Sequence, residues 1–272
     1  MSRSENSTRS VKLRVLMYHS VSVTGQRDDL TVDSLQLGTH FRYLISQGYS
    51  TILFSDLIAW LYHGKPLPPD PVLVTFDDGF LDNYYVAYLM AAKYGIKVNF
   101  FIVPAFIQKG EYRNIPCMKA EEIHSMDPAL AEFGLHSFDH QSYADLIPSR
   151  IGADIDRCFE ALHSMEIRVQ PCLAYPFGAF PRRKGHDQDR LFEILKEKGI
   201  LLAFRIGNRV NRLPLSNPFL IQRVDVRGGD SFSLFRWSLR YGKKLSFIFP
   251  PAGTAPANYT RYQAKSRCSP DR

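Results

Sequence analysis

Short apolar strands and helical segments alternate along residues 13–241, and that alternation narrows the architecture more than any other feature of the sequence. A chain that repeats strand and helix with short connections lays its strands side by side as a mainly parallel sheet, either open or closed into a barrel. The expected strands are Leu13–Tyr18, Thr51–Leu53, a run from Leu73 to Phe76, Val98–Val103, a brief one at Phe133, Cys172–Tyr175, Leu201–Arg205 and Phe219–Val226. Between them fall helices carrying Leu37, Phe41, Leu44 and Ile45 after a cap at Thr31 or Asp33, then one capped by Ser55, then Leu81–Tyr94, Lys119–Ser125, one capped by Ser149, Asp187–Lys198 and Ser231–Tyr241. Residues 108–118 are polar enough to predict a surface loop. There is no internal repeat or long linker, so one domain over residues 13–249 is expected, with disordered segments at 1–12 and 250–272.

At 272 residues the chain suits an α/β barrel, which runs to roughly 250. Its net charge of +7 fits an anionic surface or polymer. No helix-turn-helix, zinc-finger or phosphate-loop motif points to nucleic acid. Cys117, Cys158, Cys172 and Cys268 stand far apart without a CxxC pair, which predicts reduced thiols and no zinc ribbon. No apolar stretch is long enough for a secretory signal or a membrane span, so the expectation is a cytoplasmic protein, open to peripheral membrane association.

The chemistry concentrates where strands end. Leu73-Val74-Thr75-Phe76-Asp77-Asp78-Gly79-Phe80 closes an apolar strand with two adjacent carboxylates. Such neighbours repel and desolvate together unless a cation or proton neutralises them, although either could instead cap the following helix. Sheets and barrels of this class gather their C-terminal strand ends on one face. That face would hold His19, Asp77, Asp78, His136, His140 and Tyr175-Pro176-Phe177-Gly178. Two histidines and a carboxylate make a common catalytic zinc set with a position open for water. A lone histidine is more often a surface or core residue; the HxxxH spacing beside an Asp-Asp pair tips the reading toward metal.

Thr75-Phe76-Asp77-Asp78-Gly79, His136-Ser137-Phe138-Asp139-His140 and Tyr175-Pro176-Phe177-Gly178, in that order, resemble the TFDDG, H-[ST]-x-x-H and P-[YF]-G signatures of the polysaccharide deacetylases, carbohydrate esterase family 4. The resemblance covers residues 13–226. It implies a distorted (β/α) barrel, a divalent metal, usually zinc, and removal of acetyl groups from N-acetylated sugars. By the same resemblance Asp78, His136 and His140 would hold the metal and Asp77 would be the general base, a division that suits a carboxylate outside the metal's first shell. A backbone N–H near Phe177, within Tyr175–Gly178, would stabilise the oxyanion.

Two positions depart from the common pattern: Ala174 stands where an arginine usually precedes the proline, and no histidine follows His186. Leu16-Met17-Tyr18-His19-Ser20-Val21, however, resembles the MYHxI segment of the bacterial poly-N-acetylglucosamine deacetylases, which would make His19 the general acid. Ile221-Gln222-Arg223-Val224 resembles their late arginine segment and offers Arg223 as the missing guanidinium, with Arg205, Arg209 and Arg227 nearby in sequence. The implied partner is an N-acetylated carbohydrate, with an anionic or lipid-linked form suggested by Arg182-Arg183-Lys184; the alternative is an amide or ester that is not a sugar. Phe180 is the expected sugar-stacking residue, whereas Tyr84, Tyr85, Tyr88, Tyr143 and Trp237 are expected in the core.

Overall fold

Seven parallel strands close on themselves because the first is hydrogen-bonded on both sides. The computed structural model describes residues 11–182 and 187–243; the expected terminal segments, apart from residues 11 and 12, lie outside them, as do Arg183, Lys184, His186 and Cys268. The strands are β1 (Lys12–Tyr18), β2 (Pro71–Phe76), β3 (Val98–Ile102), β4 (Ala131–Leu135), β5 (Cys172–Ala174), β6 (Leu202–Ile206) and β7 (Ile221–Asp225). β1 lies parallel to β2, with Leu16 opposite Val74, and parallel to β7, with Leu16 opposite Val224. The order β1-β7-β6-β5-β4-β3-β2 then returns to β1, and the expected barrel is the one found.

The strands read as continuous apolar runs because both faces are covered. Leu13, Val15, Leu73, Phe101, Phe204 and Ile221 point inward and pack on Phe54 and Leu57, which plug the end where the strands begin. Leu16, Tyr18, Val74, Phe76 and Phe100 point outward against the helices. Each such side chain, fully buried, contributes about 1.5–3 kcal/mol. Among the described residues no helix is long and apolar enough to cross a membrane.

Several local expectations are corrected. The segment after the double aspartate opens as a π-helix, Asn83–Tyr88, before the α-helix Leu89–Tyr94. The helix Phe54–His63 is held at its start by Asp56, whose carboxylate accepts the Leu53 N–H, while the Ser55 N–H goes to Glu132. Pro148 opens the helix Pro148–Ser164, placing Ser149 inside it rather than at its cap. Residues 108–116 lie at the surface as expected, but as the end of a helix, Pro104–Lys109, and a small hairpin rather than a plain loop, and Cys117 and Met118 after them are buried. Lys12 belongs to β1.

Candidate active site

The expected residues meet at the mouth where β1, β2, β4, β5 and β7 end. Directly after β2, Asp77 turns back into the barrel, its N–H bonded to the Tyr18 carbonyl (3.0 Å). Arg223 reaches across from β7 and grips the Asp77 carboxylate with both terminal nitrogens, at 2.5 and 2.7 Å. Burial pushes this carboxyl up, but Arg223 and the nearby imidazoles outweigh it and bring its pKa down to about 2. Of the other arginines near in sequence, Arg205 lies over Phe180, Arg227 bonds Asp225, and Arg209 is exposed.

Asp78 sits in the left-handed region (φ 72°), which swings its carboxylate away from that of Asp77. Burial raises its pKa. Its buried Oδ1 has no hydrogen-bond partner, yet lies 3.5 Å from His136 Nε2 and 3.2 Å from His140 Nε2. His136 follows β4 directly and donates from Nδ1 to the Ala174 carbonyl (2.9 Å), leaving Nε2 as a lone pair. Burial brings both imidazoles down to about 4, so each is in the neutral, ligating form at pH 7.

One potential ligand atom from each of Asp78, His136 and His140 lies within 4.8 Å of the others. Ligand atoms about 2.0–2.1 Å from a tetrahedral ion stand roughly 3.3 Å apart. The 3.2 and 3.5 Å separations and the unpartnered oxygen therefore fit a small divalent cation. Asp154 braces the loop that carries the histidines by accepting the Phe138 N–H (3.2 Å) and the Tyr143 hydroxyl (2.6 Å).

The Tyr175–Gly178 turn forms the opposite wall. Phe177 (φ 58°) and Gly178 (φ 62°) are both left-handed, and a Cβ on Gly178 would lie 2.8 Å from Ile206. The Tyr175, Gly178 and Ala179 N–H groups are spent on the carbonyls of Phe204, Tyr175 and Pro176, and Pro176 has none to give. The Phe177 N–H is thus the free donor of this turn among the described residues, and its ring meets that of His140 edge-on at 4.5 Å. Tyr175 itself points into the core, its hydroxyl bonded to the Phe219 carbonyl. Phe180 is also buried, stacked on Tyr175 at 4.9 Å, and so offers no face to a sugar.

His19, just beyond β1, lies mostly buried with Nε2 3.9 Å from Asp77 Oδ2 and Nδ1 unpartnered. Two residues that sequence reasoning passed over hold it. Asn83 donates from Nδ2 to the His19 carbonyl (2.7 Å), and Asp82 accepts the Ser20 hydroxyl (2.5 Å). Both stand at the start of the π-helix, a form frequent at functional sites. Their signal was the polar pair one turn after Asp77-Asp78.

The profile for polysaccharide deacetylases matches residues 64–191. The chain is 28% identical over 169 residues to YxkH of Bacillus subtilis (strain 168), a protein named with the polysaccharide deacetylases; the match takes in 62% of this chain and 58% of YxkH. Among solved structures, the Streptococcus pyogenes deacetylase PplD, in complex with acetate, superposes with a TM-score of 0.71 at 18% identity, over 85% of this chain and 99% of that one. A de-N-acetylase from Aggregatibacter actinomycetemcomitans gives 0.70 at 20%, over 84% and 100%. IcaB from Ammonifex degensii gives 0.67 at 24%, over 79% and 92%. At these identities the structures show a shared fold.

Proposed function

The chain belongs to the polysaccharide deacetylase family, and on that premise we propose that it is a metal-dependent hydrolase that removes N-acetyl groups from an N-acetylated sugar or surface polysaccharide. The observation that carries this reading is the opposite condition of two adjacent carboxylates. Asp77 is bonded on both oxygens by Arg223, while Asp78 keeps a buried oxygen unpartnered between two neutral imidazoles. The first suits proton transfer and the second cation binding. Asp78, His136 and His140 are the residues that would hold the ion, and mixed imidazole and carboxylate ligands suit zinc.

A carboxylate at about 2 is ionised at neutral pH but is a weak base. When bound, a divalent ion supplies what that weakness demands, lowering the pKa of a coordinated water and polarising the acetamide carbonyl. Asp77 accepts the proton from the attacking water, and Arg223 fixes which of its lone pairs faces inward. The free Phe177 N–H donates to the oxygen of the tetrahedral intermediate. His19 gives a proton to the departing amine, which leaves poorly without one.

The test pairs two isosteric changes with a metal assay and acetate release from N-acetylglucosamine oligomers. Asp77→Asn should keep about one metal ion per chain and lose about 10²–10⁴-fold in kcat. Asp78→Asn should lose the ion. Equal metal loss in both variants would overturn the division of roles, and a metal-loaded parent that releases no acetate from any N-acetylated saccharide would overturn the substrate class.

A further inference from the structure

The helix Phe232–Tyr241 presents an outward face of aromatic and cationic side chains. It packs inward through Phe235 and Leu239, as its period demands. Its outward residues are Phe232, Ser233, Arg236, Trp237, Arg240 and Tyr241, with no acidic residue in the helix. Phe232, Trp237 and Tyr241 are 40%, 44% and 52% exposed, contrary to the expectation of a buried Trp237. Trp237 meets Tyr241 at 4.6 Å with Arg240 over Tyr241 at 5.6 Å, while Phe232, packed against Tyr43 and Phe235, lies under Arg236 at 5.9 Å. Neither arginine meets a carboxylate among the described residues.

We propose that this face docks on an anionic lipid bilayer surface. Three exposed aromatic rings, those of Trp237 and Tyr241 with a polar edge, beside two guanidinium groups that meet no carboxylate among the described residues, suit the headgroup region, where rings lie at the interface and arginines meet lipid phosphates. Charge excludes the other occupants. A second copy docking through the same patch sets arginine against arginine. The segment 244–272 carries five basic residues and one acidic residue, so it is repelled by this face and attracted to the same anionic surface. A polymer freed of acetyl groups gains amines that protonate, and is repelled as well.

Co-sedimentation of the full chain with vesicles tests this. Binding is expected to vesicles of mixed phosphatidylcholine and phosphatidylglycerol at low salt, to fall steeply as salt rises, and to be absent with phosphatidylcholine alone. Removing both charges, Arg236→Gln with Arg240→Gln, should weaken binding about 25-fold, at roughly fivefold per charge. Trp237→Ala should weaken it without changing the salt slope. Thermal melts matching the parent establish that the variants fold, since all three side chains are exposed. Failure to bind anionic vesicles, unchanged binding in the double variant, concentration-dependent dimerisation through this face, or preference for single-stranded DNA over vesicles would each overturn the proposal.

Discussion

The two ends of the barrel handle buried polar groups in opposite ways. Toward the end where the strands begin, Asn99 accepts the Phe54 N–H and donates to the carbonyls of Ile52 and Val74, and Asn211 is bonded just as fully to Leu13 and Gln222. At the mouth, His19 Nδ1, Asp78 Oδ1, Asn83 Oδ1 and Arg223 Nε are buried without partners, four of the six such side-chain atoms among the described residues. Non-glycine residues with positive φ gather there too, at Asp78, Ser137, His140 and Phe177. An unpaired buried polar group costs about 1–3 kcal/mol, and left-handed backbone adds of order 1–3 kcal/mol per residue. One end is arranged for stability; the other holds strain and open valences that a ligand can satisfy.

Breaking that contrast should be easiest at His19. His19→Ala is expected to lose about 10²–10⁴-fold in kcat on an N-acetyl substrate and far less on an aryl acetate, whose leaving group needs no proton. Equal losses on both substrates would reduce His19 to a positioning residue. Asn83→Ala should act through His19, with about a tenfold fall in kcat, little change in KM, and the same bias toward the amide substrate. A matching loss on the ester would show that Asn83 holds the fold of the mouth rather than the histidine.

The parallel α/β layout was legible because strands buried on both faces read as unbroken apolar runs, and the candidate site because most of its residues directly follow such runs; closure into a barrel was implied only by the resemblance to a family, since the pairing of β1 with both β2 and β7 leaves no mark in the local pattern. What escaped reading depended on contacts distant in sequence. Asn83-Tyr84-Tyr85-Val86-Ala87-Tyr88 has the apolar pattern of an α-helix, and nothing local announces a π-helix that turns Asn83 toward His19. The stretch before Cys117 is exposed, as its polarity suggests, but the burial of Cys117 and Met118 comes from the pairing of Cys117 with Phe80 and from the Met118 N–H bonding to the Gly79 carbonyl, contacts distant in sequence. Phe180 looked available to a sugar until Tyr175 and Arg205 enclosed it. Trp237 shares its helix with Phe235 and Leu239, and only the helix's rotation against the barrel decides which aromatic faces water.

The smallest effect, and the one that sharpens the contrast from the scaffold side, concerns His40. It is as buried as the mouth histidines, but its Nδ1 pairs with the Tyr18 hydroxyl (3.0 Å) and its ring stacks on Phe235 at 3.7 Å. Burial, with Arg27 adding to it and Asp33 opposing, brings its pKa down to about 3. The unfolded value is about 6.5, so the unfolded chain binds the extra proton first; stability is fully present above that pH and is lost as pH falls toward 3, by about 1.4 kcal/mol per pH unit. His40→Leu removes this loss but strands the Tyr18 hydroxyl, at about 1–3 kcal/mol. The variant should therefore have a lower urea midpoint than the parent at pH 7.5, and the two should converge near pH 5. Parallel curves across that range would mean that His40 takes up its proton when folded as readily as when unfolded, and that a buried histidine of the scaffold is no more committed to one charge state than those at the mouth.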